Sequence, residues 1–121
     1  MANILVVDDS TTMRQMICFT LTSVNHTVTE APNGVEGLKL AINGKFDLIV
    51  SDVNMPEMDG IEMVKAIRAL PAYKSIPILM ITTEFQAEEK QKGKAAGATG
   101  WIVKPFNPEV LLNILDKVLV A

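Results

Sequence analysis

Short apolar runs and stretches of helical periodicity alternate five times along this chain, and that alternation restricts the fold more than any other feature. The runs are residues 4–7, 27–31, 46–51, 76–82 and 99–103. Three of them contain nearly unbroken aliphatic sequence: Ile4-Leu5-Val6-Val7, Leu48-Ile49-Val50 and Ile78-Leu79-Met80-Ile81. A strand with one solvated face alternates apolar with polar side chains, whereas a continuous apolar run suits a strand covered on both faces. Residues 27–31 are β-prone but half polar, so they read as an edge strand. Five βα units with short connections predict an α/β domain of the doubly wound (βα)5 kind, a five-stranded parallel sheet with helices on both faces.

The helices between the strands are marked by spacing and by their ends. Met13, Met16, Ile17, Leu21 and Val24 share one face after the N-cap candidates Ser10, Thr11 and Thr12, and Asn25-His26 stops that helix. Pro32-Asn33-Gly34 turns the chain into a second helix carrying Val35, Leu38 and Ile42. Asn43-Gly44 ends it, with Gly44 a candidate left-handed cap. Residues 55–60 form a loop before a third helix that bears Ile61, Val64, Ile67 and Leu70 and closes at Pro71. Residues 88–96 form a fourth helix, ended by Gly97. After Asn107-Pro108, one face of a fifth helix carries Val110, Leu111, Ile114, Leu115, Val118 and Leu119. No linker or low-complexity segment interrupts the pattern, so residues 1–121 read as one domain with no appended output domain.

Charge and composition exclude several classes of function. The formal net charge is −3, without the clustered Lys and Arg that a nucleic-acid footprint or a polybasic membrane patch needs. The N-terminus has neither a basic leader nor a long apolar segment, and no run approaches the ~20 apolar residues of a membrane span. Together these features predict a cytoplasmic protein. The single cysteine, Cys18, cannot form an internal disulfide and reads as a small buried hydrophobe. His26, the single histidine, falls in the loop after helix one, away from any acidic cluster, and reads as a surface residue.

The chemistry is concentrated at the strand ends. Asp8 and Asp9 follow strand one, Asp52 follows strand three, Thr82 and Thr83 end strand four, and Lys104 follows strand five. Any one of these could cap a turn, as Asp commonly does. Acid, acid, hydroxyl and ammonium at the same edge of one parallel sheet describe a site, because ligands bind outside the carboxyl ends of such strands. Three converging carboxylates repel one another and need a cation. Oxygen ligands with no Cys or His nearby suit Mg²⁺ rather than Zn²⁺. A hydroxyl and an ammonium beside Mg²⁺ suit phosphoryl oxygens, and a carboxylate can itself accept a phosphoryl group.

In that combination, Asp8-Asp9, Asp52, Thr82 and Lys104-Pro105 resemble the receiver domain of two-component response regulators, and the resemblance spans all 121 residues. It implies a flavodoxin-like sheet in the order 2-1-3-4-5. It implies that Asp52 takes a phosphoryl group from the phosphohistidine of a sensor histidine kinase of the CheA type. Asp9, Asp52 and the backbone carbonyl of Asn54 would bind Mg²⁺ directly, and Asp8 through water. Thr82 would hydrogen-bond the phosphoryl group and Lys104 would pair with it. A cis bond between Lys104 and Pro105 would aim the lysine inward. The family is a switch, not a turnover enzyme on a separate substrate, and a monomer is expected.

Among stand-alone receivers the chain is most similar to the chemotaxis, CheY-like branch, through Asn54-Met55-Pro56, Thr82-Thr83-Glu84 and residues 96–101. Trp101 stands at the position of the family's aromatic switch, where Tyr is usual, and Thr83 replaces a smaller Ala. Helix four departs further: Lys90 and Lys94 lie four apart on one face, where branch members that bind the flagellar switch protein are partly apolar. Lys90, Lys94 and Trp101 therefore make up a candidate partner face. Two outputs stay open, the flagellar switch protein and a more acidic partner or phosphate-sink role. An alternative of another class is a haloacid-dehalogenase-type Mg²⁺ phosphatase, which needs a second Asp where this chain has Asn54.

Overall fold

The structure is a computed structural model. It describes residues 2–53, 55, 58–82, 87–103 and 107–119, with the side chains at 82, 87–90, 93 and 103 outside that description. Five strands, β1 (Asn3–Val7), β2 (Thr27–Ala31), β3 (Leu48–Asp52), β4 (Ile78–Thr82) and β5 (Gly100–Val103), alternate with five helices. The helices are α1 (Thr11–Thr22), α2 (Gly34–Asn43), α3 (Gly60–Arg68), α4 (Ala87–Ala96) and α5 (Pro108–Val118). All the strand pairings are parallel, and the order is β2-β1-β3-β4-β5, as the resemblance implies.

The unbroken apolar runs are buried on both faces because side chains alternate across a strand. Ile4, Val6, Leu48, Val50, Leu79 and Ile81 point to one side and pack with Ile17 and Leu21 of α1 and Leu111 and Leu115 of α5. Leu5, Val7, Ile49, Ile78 and Met80 point to the other and pack with Ala41 of α2, Met63, Val64 and Ile67 of α3 and Ala96 of α4. Each large aliphatic side chain so buried contributes on the order of 1.5–3 kcal/mol relative to exposure. β2 is an edge strand, as its polar content predicted. Among the described residues no helix is long and apolar enough to cross a membrane.

Among the described residues, side-chain caps start four helices. Ser10 accepts from the Met13 N–H, Asn33 from Glu36, Asp59 from Glu62, and Asn107 from Glu109 and Val110. Ser10 is therefore the cap among its three candidates. Each such bond satisfies an amide that the helix itself cannot, which is worth about 1 kcal/mol.

Several expected details are corrected. Strand β3 starts at Leu48 and includes Asp52, β4 starts at Ile78, and β5 at Gly100. A short 3-10 turn, Pro71–Tyr73, was not anticipated. On α2 the buried face is Gly34, Gly37 and Ala41, while Ile42 is 58% exposed. The reason is close packing: a Cβ on Gly37 would lie 2.8 Å from Val7 Cγ2 and 2.9 Å from Met63 Sδ, so the helix approaches the sheet through its smallest residues. Met16, Val24 and Val110 are likewise exposed; Val24 lies beyond the end of α1. Gly44 is extended, with φ −135° and ψ −174°, and is no left-handed cap. Among the described residues, the positive φ angles belong to Asn25 and Gly97. His26 is half-buried, and its Nδ1 accepts a hydrogen bond from the Ala2 N–H at 3.0 Å. Cys18 is half-buried, packed against the α1–α5 core.

Two predictions follow from these contacts. The start of α3 lies against the end of β3: Gly60 N–H donates to Val53 O at 2.8 Å, and a Cβ on Gly60 would collide with the Asp52 carbonyl and lie 2.8 Å from Met80 Cε. Backbone cannot retreat as a flexible side chain can, so Gly60→Ala is expected to cost about 1–3 kcal/mol; an unchanged urea midpoint would refute this. Burial, and then the Glu30 carboxylate beside it, push the Cys18 thiol up from 9.0 to about 11. Because the folded value is the higher one, the stabilising effect is complete below pH 9.0 and fades as pH rises toward about 11. Alkylation of the native protein by iodoacetamide should accordingly be slow at pH 8 and accelerate only in that window; fast alkylation at pH 8 would contradict the burial argument.

Candidate functional site

Register determines which residues meet. Val7 pairs with Ser51, so Asp8, just past the end of β1, and Asp52, the last residue of β3, come out side by side. The chain changes direction across the sheet between β1 and β3, and at such a point the crevice outside the carboxyl ends opens. Asp8, Asp9 and Asp52 each place a carboxylate oxygen within 4.8 Å of the other two. Asp8 is fully buried, Asp52 is 5% exposed, and Asp9 is exposed.

Backbone amides orient the two buried acids. Asp8 Oδ1 accepts from Ser10 N–H at 2.8 Å, and Asp52 Oδ1 accepts from Val53 N–H at 2.8 Å. The same Ser10 caps α1 through its hydroxyl oxygen, so the acid and the helix start form one turn. Ser51 Oγ donates to Asp52 O at 2.8 Å. The donor set is oxygen alone, with one exposed and two buried carboxylates. That chemistry fits a hard divalent ion such as Mg²⁺, which is bound by carboxylates and retains water.

The remaining expected site residues are distributed as follows. Asp52 pairs with Ile81 across β3 and β4, and Thr82 pairs with Val103 across β4 and β5. Backbone position 82 thus ends β4 one residue past the level of Asp52; its side chain lies outside the described residues. Asn54, Thr83, Glu84, Lys104 and Pro105 also lie outside them. Lys90 has its backbone in α4 and its side chain outside the description, while Lys94 is exposed four residues on.

Trp101 sits opposite Met80 in the β4–β5 register, half-buried against the α2–α4 side of the core. Its Nε1 is buried and finds no hydrogen-bond partner among the described residues. A cleft of about 180 Å³ opens beside it, lined by Lys94, Ala98, Thr99, Gly100 and Trp101. Arg68, at the end of α3, braces this region. Its Nε and Nη2 donate to Gly97 O at 3.0 and 2.8 Å, and its Nη1 to Tyr73 O at 2.8 Å.

Three positions near the site were not singled out from sequence. Gly60 presses on the Asp52 carbonyl, Arg68 holds the α4–β5 junction, and Arg14 Nη1 donates to Asp8 O at 2.7 Å. Nothing local distinguishes Arg14 or Arg68 from the solvated arginines common on helices. Asp59-Gly60 carried a weak signal, a cap residue followed by glycine.

The sequence and the fold both have relatives. Residues 4–116 match the response regulator receiver domain. A chemotaxis protein CheY homolog of Campylobacter jejuni is 47% identical over 118 residues, which span 96% of this chain and 91% of that protein. The structure of the chemotaxis response regulator CheY4 of Vibrio cholerae is similar with a TM-score of 0.94 and 55% identity, covering 98% of this chain and 99% of that one. The receiver domain of the sensor histidine kinase PA1611 of Pseudomonas aeruginosa, solved with a magnesium ion coordinated in its active-site cleft, is 26% identical with a TM-score of 0.92, covering 99% and 98%. With this fold, this acidic cleft and these relatives, the chain belongs to the response regulator receiver domain family.

Proposed function

We propose that this receiver accepts a phosphoryl group on Asp52 from the phosphohistidine of a sensor histidine kinase, and that it acts in chemotaxis signalling. The observation that carries the reading is the convergence of Asp8, Asp9 and Asp52 at the β1–β3 switch point. The chemotaxis assignment is supported by relatives named as chemotaxis proteins, at 47% and 55% identity. An Asp52 oxygen attacks phosphorus, the P–N bond to the donor imidazole breaks, and the imidazole leaves with the bonding pair. Val53 N–H holds Asp52 Oδ1 and so fixes the orientation from which the carboxylate attacks. Asp8, Asp9 and Asp52, with the Asn54 carbonyl, would hold Mg²⁺. When bound, that ion would offset the charge of the carboxylates and of the incoming phosphoryl oxygens. Thr82 would receive a phosphoryl oxygen as a hydroxyl donor, and Lys104 would pair with another.

Phosphorylation replaces a single negative charge with roughly −1.5 to −2. The altered charge acts through Thr82, at the carboxyl end of β4, on Trp101 and on the face made by α4, β5 and α5. A change from mostly off to mostly on needs about 5.5 kcal/mol of preference for the active state. The Lys94 charge and the Trp101 cleft favour an acidic segment as the output partner; a flagellar switch protein is the candidate suggested by the chemotaxis relatives.

Asp52→Asn is expected to abolish labelling by acetyl phosphate or by a phosphorylated kinase, read on a phosphate-affinity gel. Stoichiometric labelling of that variant would remove Asp52 as the acceptor. Trp101 is the single tryptophan, so intrinsic fluorescence reports on it alone. Adding Mg²⁺ should change that fluorescence in the wild type and leave Asp9→Ala unchanged at the same concentration. An identical titration in both proteins would exclude Asp9 as a ligand.

A further inference from the structure

Asp8 and Asp9 share one peptide group. Its oxygen is the Asp8 carbonyl and its N–H belongs to Asp9. A peptide unit is planar, so fixing that oxygen restricts the directions in which both Cα atoms, and both carboxylates, project. Arg14 holds the oxygen: Nη1 donates to Asp8 O at 2.7 Å, while Nε donates to Glu30 Oε1 at 3.1 Å. The Arg14 side chain is 15% exposed and Glu30 is 48% exposed, so the guanidinium is the sheltered partner of this ion pair. The planar fork of arginine lets two donors act in different directions at once, which an ammonium on a flexible stem cannot reproduce. A chain of contacts thus runs from the edge strand β2, through α1, to the peptide from which two of the three acids hang. The same segment is also held by Asp8 N–H donating to Ala31 O at 3.2 Å, on the same edge strand, and by Ser10 N–H donating to Asp8 Oδ1 at 2.8 Å.

We propose that Arg14 is a positioning residue for the acidic site. Tethered by Glu30, it sets the peptide plane that presents Asp8 and Asp9 to a divalent cation. The proposal rests on the reading of Asp8, Asp9 and Asp52 as a Mg²⁺ site. Charge and geometry make opposite predictions for its removal. Arg14 is a cation near a cation site, so if charge alone mattered, Arg14→Ala would tighten Mg²⁺ binding. If the fork orients the acids, Arg14→Ala loosens them and weakens binding, as loss of a residue that supports metal ligands commonly does by 10- to 100-fold.

The test is calorimetric titration of the whole chain with Mg²⁺ for wild type, Arg14→Ala, Arg14→Lys and Glu30→Gln. The expected result is about tenfold weaker binding for Arg14→Ala and weaker binding for Arg14→Lys as well, in keeping with the support that metal ligands need. Faster amide exchange at Asp9 is expected in metal-free Arg14→Ala. Unchanged or tighter binding in Arg14→Ala, or wild-type affinity in Arg14→Lys, overturns the proposal. If Arg14→Ala does not fold, Glu30→Gln decides: weaker binding supports the tether and unchanged binding overturns it. A wild type that binds no Mg²⁺ removes the metal reading itself. A wild type that binds it, with Arg14→Ala indistinguishable, removes only the role of Arg14.

Discussion

Mutual repulsion of three carboxylates at one sheet edge is the constraint on which the rest of this structure depends. For the buried pair Asp8 and Asp52, oxygens within 4.8 Å repel by about 3–4 kcal/mol at an effective dielectric of about 20. Nothing in a folding chain would gather them unless the surrounding backbone were fixed first. It is fixed by the two strands, whose side chains are buried on both faces, and by amides aimed at the acids from Ser10 and Val53. The close approach of Gly60 to the Asp52 carbonyl belongs to the same arrangement. The fold opposes the repulsion with packing and leaves three carboxylates grouped where they could hold a cation.

This explains why the grouping of the three acids was legible in the sequence. A parallel sheet places residue after residue at its carboxyl edge according to where the apolar runs stop. Reading Asp8, Asp9 and Asp52 as neighbours required only that residues 4–7 and 48–51 be recognised as strands. The helix faces were less legible. Hydrophobic periodicity on α2 points to Val35, Leu38 and Ile42; Leu38 does pack against the core, but Ile42 is exposed and the closest approach is made by Gly34, Gly37 and Ala41. Closeness to Val7 and Met63 selects small side chains there, and a pattern of large apolar residues cannot register that. Gly44 misled for a related reason. A Cβ there would lie 3.2 Å from Leu40 O and 3.3 Å from the Phe46 ring, so lack of space, not a left-handed backbone, suits glycine.

Arg14 and Arg68 were illegible for another reason. Both act on main-chain carbonyls far along the chain or across a loop, and a carbonyl leaves no trace in the sequence. Arg14 reaches Asp8 O, and Arg68 reaches Gly97 O and Tyr73 O. In each case the arginine secures the end of a regular element. One does so at the acidic edge, and the other where α4 passes into β5 at Gly97, whose φ is +113°.

These two anchors bear on how a change at Asp52 could reach Trp101. The intervening strand β4 is buried from Ile78 to Ile81 without measurable exposure. A strand packed that tightly on both faces does not bend to carry a signal, because close-packed interiors deform little. Change must be taken up at its carboxyl end, at Thr82, and where β5 meets α4. The far end of α4 is held by Arg68 through Gly97, so a rearrangement near Thr82 would act on the near end of the helix and on the Trp101 cleft. The indole Nε1, buried without a partner among the described residues, would gain a hydrogen bond in any state that brings an acceptor to it.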